Sequence, residues 1–303
     1  MTSGLLSPVV IIGTAHWQLY GVTQQIVTTY KMNSANPKIK LVAIDLDGTL
    51  LTSERKIHPE AKKAISFAVE SGITVCLASG RALNTIEPYA SDLNLTGPFV
   101  SCNGAYVLGL DRKEIHHRTL PDDVRDLVFN YARERSVHTN VYVGTDVYFS
   151  SDGDWADLYR QRTGLMEQGI EPFDSLSRYR PTKLLFIDSP QAVMEHKERL
   201  SVDLDPEKTT IALSEAEYIE FLPPKINKAE GLKAVANVLN IDRLESAAIG
   251  DYHNDLEMVE WAGLGGAVAT AVEEVRQVAD LVVASNDDGG VAEFIYTVIE
   301  RNR

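Results

Sequence analysis

Two aspartates, Asp45 and Asp47, stand one residue apart where the apolar run "KLVAID" gives way to a turn at Gly48 and Thr49. Carboxylates that close repel each other. They tolerate the approach when a divalent cation neutralises them or when one keeps its proton. Further polar groups punctuate the chain: Ser79 in "ASGR", Lys228 in "INKAEGL", and Asp251 and Asp255 in "GDYHND". Magnesium is hard, prefers oxygen and uses few carboxylates, which Asp45 and Asp251 can supply. Asp47 can then stay neutral and serve as an acid, because two neighbouring acids take distinct roles when their pKa values are driven apart. Gly48 lets the backbone pass close to an anion, and the N–H groups of the turn, Leu46 and Gly48 among them, can cradle phosphate oxygens. Ser79 and Gly80 offer further donors, and Lys228 a point charge suited to phosphate.

The elements that must position these groups alternate. "KLVAID" reads as a buried parallel strand. In Pro59–Glu70, the residues Ala61, Ala64, Ile65, Ala68 and Val69 form one face of a helix, with Pro59 suited to its start and Gly72 to its stop. "ITVCLAS" and "GPFVSCN" read as strands. Near the C-terminus a helix through Leu232–Leu239, the strand "SAAIGD", the helix "NDLEMVEWAG", the strand "ADLVVAS" and a closing helix through Val291–Val298 repeat the pattern. Such βαβ alternation predicts a parallel sheet, whose ligands bind beyond the carboxyl ends of the strands. Asp45 and Asp47, Ser79, Asp251 and Asp255 fall at such ends, and Lys228 sits just before a helix.

Between Leu120 and Phe221 the texture differs. A helix over 122–135, two strands around Gly144 and Thr145, the strands "TKLLFID" and "EYIEFL", and a helix near Gln191–Leu200 suggest an α+β insert. The fold class expected is therefore α/β: a Rossmann-like parallel-sheet core over 38–119 and 222–303, interrupted by an α+β domain over 120–221. Residues 1–37 read as an extension. They lack a basic leader and a long apolar run, so they make a poor signal peptide and a poor membrane span. Met32 lies shortly before the first strand, so this segment is either a real extension, disordered, or the result of a misassigned start.

The chain of 303 residues has 29 Lys plus Arg against 43 Asp plus Glu, a formal net charge of −14. That balance works against nonspecific binding to nucleic acid or to anionic lipid, so neither is an expected partner. An anionic substrate then needs local positive charge from a metal or a few placed cations. The two cysteines, Cys76 and Cys102, have no metal-site spacing and read as reduced thiols, which favours a cytoplasmic location.

"DLDGTL", "SGR", the isolated Lys228 and "GDYHND", in that order, resemble the four motifs of the haloacid dehalogenase-like superfamily. "SCNGA" and "SNDDGGVAEFI" resemble its Cof-type branch of sugar-phosphate phosphatases. The likeness covers about 38–303, and the insert resembles the family's cap domain. The resemblance implies a Mg²⁺-dependent phosphatase acting on small phosphorylated metabolites in two steps. Asp45 would form an aspartyl-phosphate. Asp47 would protonate the leaving alkoxide and then deprotonate the attacking water. Mg²⁺ would be held by the Asp45 and Asp251 side chains and the Asp47 carbonyl, with Asp255 ligating or orienting a water. Related ion pumps carry threonine where this chain has Asp47, so its carboxylate implies prompt hydrolysis of the phosphoenzyme.

Other residues have competing readings. Ser79 suits a helix cap as well as phosphate. Arg81 can order its loop or touch phosphate. Asn254 can bond the Asp45 region or cap a helix. Asn103 and Gly104 can form a plain turn, or lie near substrate as the family pattern implies. Lys183 in "PTKLLF" can be a strand-edge lysine or project from the cap toward substrate. His253 sits among carboxylates, but magnesium avoids imidazole, so packing or exposure is expected. "GLGGAV" does not open a helix after the first strand and is not a dinucleotide motif. Tyr142, Tyr148, Trp155 and Tyr159 are candidates for reading the organic part of the substrate. A phosphomutase would use the same aspartyl-phosphate, and a phosphometabolite sensor would need no acid at Asp47.

Overall fold

The computed structural model describes residues 13–19, 22–28 and 37–303. Gly13–Leu19 and Val22–Thr28 pair as an antiparallel hairpin. The reading of residues 1–37 as a disordered or wrongly assigned extension falls in part, at 1–12, 20–21 and 29–36, outside the described residues.

Residues 39–303 are built on two sheets. The first has eight strands, in the order Leu281–Val283, Leu264–Val268, Ser246–Gly250, Leu41–Asp45, Thr74–Ala78, Phe99–Ser101, Tyr106–Leu108 and Glu114–His117. The first six run parallel, as the alternation predicts. The last two run antiparallel, which an all-parallel expectation does not include. Only the turn Cys102–Gly104 joins Phe99–Ser101 to its neighbour, too short for the crossover that a parallel pair requires.

Helix Pro59–Glu70 begins at His58, whose side chain accepts from the Glu60 N–H, and it buries Ala61, Ala64, Ile65 and Ala68. It packs with helix Gly290–Arg301 against the sheet. Helix Lys228–Leu239 covers the other face. Its Leu232, Val235 and Ala236 meet Leu41, Ala43, Cys76, Ala78 and Ala248, all buried. Each fully buried Leu or Val contributes about 1.5–3 kcal/mol relative to exposure. The same packing therefore stabilises the sheet and fixes where its strand ends lie.

The second sheet has six strands, in the order Gly169–Ile170, Asp146–Phe149, His138–Val143, Lys183–Ile187, Tyr218–Leu222 and Thr210–Glu215. Helices Asp122–Arg135 and Pro190–Asp203 cover one face through Val124, Val128, Phe129, Val193 and Leu200. The other face carries Tyr142, Leu185, Tyr218 and Leu222. It packs on helix Asp154–Thr163 and on Ala82, Cys102 and Ala105 of the first sheet's loops. That helix and the strands Gly169–Ile170 and Thr210–Glu215 are additions to the elements read from sequence. Among the described residues, no helix is long and apolar enough to cross a membrane.

Candidate active site

Strand register gathers the polar groups. Asp45 is paired with Ala78, so Ser79 follows beside it. Ile44 is paired with Ile249, so Asp251 lies just beyond the neighbouring strand. Lys228 is the first residue of its helix rather than the residue before it, capped by Asn227, whose side chain accepts from the Glu230 N–H at 2.9 Å. A cavity of about 520 Å³ opens over these strand ends, and Asp45, Asp47, Gly48, Ser79, Gly80, Arg81, Asp251, Asn254 and Asp255 line it.

Separate cations answer the repulsion between the two aspartates. Lys228 Nζ donates to Asp45 Oδ1 and to Asp255 Oδ1, each at 2.6 Å. Burial works against the ammonium, but Asp255 and Asp45 raise its pKa all the same. Burial also raises Asp45 well above the usual carboxylate range, helped by the charges of Asp255 and Asp251 and opposed by Lys228. Asp251 is pushed up to about 7 by burial and Asp255, although it accepts from Thr49 Oγ1 at 2.8 Å. Lys228 does not line the cavity. Its charge is spent on carboxylates beneath the site, where the sequence suggests a phosphate contact.

Asp47 departs from expectation in its charge. Arg81 Nε and Nη2 donate to its two oxygens at 2.6 Å each, and Arg55 Nη1 adds a third bond at 3.3 Å. Burial would raise Asp47, but these bonds and charges hold it below the usual range. In this arrangement Asp47 is a carboxylate rather than a neutral acid, because a bidentate guanidinium favours the charged form. Arg55 Nη1 also donates to the Arg162 carbonyl at 2.7 Å, so the pair reaches the second sheet's helix.

The remaining candidates divide. Ser79 is buried, and its Oγ accepts from the Arg81 N–H at 3.2 Å. Asn254 Nδ2 donates to Asn103 Oδ1 at 3.0 Å, so it bonds neither Asp45 nor a helix end. Asn103 has φ +52°, lies behind the cavity wall and donates to Glu220. Gly104 has φ +95°, and a side chain there would strike the Asn227 carbonyl, so it packs under the Lys228 helix, off the cavity lining. Leu46 is buried off the cavity. Lys183 lines it and donates to the Gly80 carbonyl at 2.5 Å and to Glu220 Oε1 at 2.8 Å. Of the four aromatic candidates, Tyr142 and Tyr159 line the cavity; Tyr148 stacks on Tyr179 instead, and Trp155 packs at a core edge. His253 is exposed against the Tyr252 ring. Both cysteines are buried and free, with burial pushing Cys76 up to about 12 and Cys102 to about 11, which keeps them as inert thiols.

Glu220, Arg55 and Tyr218 escape the sequence reading. The one available signal for Glu220 is a lone charge inside the apolar strand "YIEFL". Nothing local marks the other two.

The site suits a hard dication. Asp45, Asp251 and Asp255 can present carboxylate oxygens within 4.8 Å of one another. Asp45 Oδ2 is buried with no hydrogen-bond partner, an uncommon state that a metal or a phosphoryl group would relieve. Asp255 is more committed: Lys228 takes its Oδ1, and the Asp251 and Tyr252 N–H groups donate to its Oδ2 at 3.2 Å.

A family model described as haloacid dehalogenase-like hydrolase matches residues 42–295. The 5-amino-6-(5-phospho-D-ribitylamino)uracil phosphatase YitU of Bacillus subtilis is 31% identical over 261 residues, 84% of this chain and 96% of that protein. Phosphatase YwpJ of the same organism is 28% identical over 281 residues, 85% of this chain and 99% of that one. The crystal structure of a haloacid dehalogenase-like hydrolase from Bacteroides thetaiotaomicron superposes with a TM-score of 0.79 at 28% identity, covering 86% of this chain and all of that one. With its motifs in order on a parallel sheet and the family model spanning both sheets, the chain belongs to the haloacid dehalogenase-like hydrolases, in their Cof-type branch.

Proposed function

We propose that the chain is a Mg²⁺-dependent phosphoric monoester hydrolase acting on small phosphorylated metabolites with hydroxylated leaving groups, sugar phosphates above all. The observation that carries this reading is Asp45, with Oδ1 held by Lys228 at 2.6 Å and Oδ2 buried and unpartnered. One oxygen is fixed and the other is left for chemistry.

In this reading residues 120–221 act as a cap over residues 38–119 and 222–303. The Asp45 and Asp251 side chains and the Asp47 carbonyl would hold Mg²⁺, which when bound offsets their charge and that of the phosphoryl oxygens, while Asp255 holds its neighbours or a water in place. An Asp45 oxygen attacks phosphorus, forming a P–O bond to the carboxylate as the ester P–O bond breaks. Ser79 and the N–H groups around Gly48 and Gly80 orient the phosphoryl group. Asp47 gives a proton to the leaving alkoxide and then takes one from the water that releases phosphate, a role that contributes about 10²–10⁴-fold. Before that, Arg81 and Arg55 must loosen their hold on Asp47, so that burial raises its pKa and the carboxylate takes up the proton it later donates, from solvent or from the phosphate monoanion; an incoming phosphate anion competes for the same guanidinium N–H groups. Lys228 favours the charged form of Asp45 against the pull of burial and aims it. Lys183 and Glu220 tie the cap to Gly80 and Asn103, which supports exclusion of water. YitU, by its name, acts on a phosphoribityl compound, which supports a small hydroxylated ester as the substrate class here.

The test is phosphate release from a panel of sugar, polyol and nucleoside monophosphates with Mg²⁺, repeated with Asp45→Asn. Release by the native chain, abolished in a folded variant, is expected. Isomer formation without release would identify a phosphomutase, and retained turnover in Asp45→Asn would remove the mechanism.

A further inference from the structure

Tyr218 opens strand Tyr218–Leu222 in the second sheet, and its side chain lines the same cavity as Asp45 and Asp47. The residue is 5% exposed, and its hydroxyl is buried with no hydrogen-bond partner. Buried hydroxyls are rarely left so, because the group gives up its water and gains nothing in return. Its neighbours do not serve it. Tyr142 and Tyr159, the other tyrosines of this wall, satisfy each other through a hydroxyl–hydroxyl bond of 2.6 Å. The Arg162 guanidinium lies 5.4 Å from the Tyr218 ring centre and comes near enough to the hydroxyl to oppose the effect of burial on it, but makes no bond of hydrogen-bond geometry there; its Nη1 donates to Glu215 at 2.5 Å and to Glu217 at 3.1 Å.

The backbone opposite is irregular at the same point. Glu215 pairs with Tyr218 and Leu213 with Ile219, so Ser214 is an extra residue, a β-bulge. Ser214 and Glu215 of the bulge, and Ala216 and Glu217 of the turn that follows it, all line the cavity. Bulges re-aim side chains next to binding sites. The bulged hairpin thus turns a polar edge toward the cavity, with the Tyr218 hydroxyl in it unsatisfied.

We propose that the Tyr218 hydroxyl is a specificity-determining group that hydrogen-bonds a hydroxyl on the leaving group of the phosphate ester. This rests on the reading of the cavity as a phosphatase active site and adds to it the residue that reads the organic part. A neutral phenol both donates and accepts, as a sugar or polyol hydroxyl does, so the two are matched. Glu215 and Glu217 flank it and use the charge of Arg162, which leaves little to attract a second anionic group at this point. Burial raises the Tyr218 phenol above its ordinary range and keeps it neutral, in line with that role.

The test compares Tyr218→Phe with the native chain, with Mg²⁺ present, on two esters: the sugar or polyol monophosphate that the native chain turns over fastest, and phenyl phosphate, whose leaving group carries no further hydroxyl. The ratio of kcat/KM on the hydroxylated ester to that on phenyl phosphate is expected to fall roughly tenfold or more, chiefly through KM on the hydroxylated ester. A purely structural effect of the substitution lowers both values together and leaves the ratio unchanged. A hydroxyl that serves only solvent changes neither. Either result overturns the inference while the phosphatase reading stands. A native chain that releases phosphate from no ester overturns both.

Discussion

Lys228 Nζ stands 2.6 Å from both Asp45 Oδ1 and Asp255 Oδ1, although 183 residues separate it from the first and 27 from the second. One buried ammonium thus serves two buried carboxylates, and its removal should be costly. Lys228→Met is expected to lose about 3–5 kcal/mol, because a broken buried pair leaves uncompensated charge. Urea unfolding near neutral pH with a chelator present measures the loss. Added Mg²⁺ should restore part of it, since the dication meets the same charges. A loss below about 0.5 kcal/mol would mean that the lysine behaves as an ordinary surface residue.

Gly48 has φ +79°, and a side chain at that position would run into the Asp251 carboxylate. Gly48→Ala should therefore displace a proposed metal ligand without touching Asp45. Mg²⁺ affinity, read by titration calorimetry, is expected to fall roughly 10–100-fold. Unchanged affinity would take Asp251 out of the metal site.

His138 predicts a pH dependence located in the second sheet. Burial lowers its imidazole to about 4 from an ordinary 6.5; the Asn140 bond and Asp152 push the other way, and Arg160 adds to the lowering. The folded state prefers the neutral ring, so the unfolded chain takes the proton first. Stability from this group is complete above the ordinary value and is lost as pH falls through the folded one, about 3 kcal/mol in all. Comparing denaturation at neutral and mildly acid pH, native His138 should lose about 2 kcal/mol more than His138→Gln. Equal losses would show that acid sensitivity lies elsewhere.

The parts of this architecture that local chemistry writes into the chain were legible there. Ala61, Ala64, Ile65 and Ala68 mark their helix by spacing alone, and all four are buried. Asp45, Ser79 and Asp251 follow from motifs at the ends of parallel strands, which the register brings side by side. What long-range packing decides was not legible. The Arg81–Asp47 pair joins residues 34 apart, and Glu220 meets Asn103 across 117, so no local pattern announces either. Gly104 looks like a turn glycine until the Lys228 helix is laid against it. Strand Thr210–Glu215 is only partly buried along its length, so its apolar pattern is weak, and its bulge breaks the alternation that would reveal it.

The account turns on a covalent bond to Asp45. Rapid acid quench of the chain with ³²P-labelled substrate and Mg²⁺, followed by peptide mapping, tests it directly. Label should appear transiently on the peptide containing Asp45, in a hydroxylamine-sensitive acyl-phosphate, and should be absent from Asp45→Asn. Phosphate release that proceeds with no label ever found on that peptide would contradict the account.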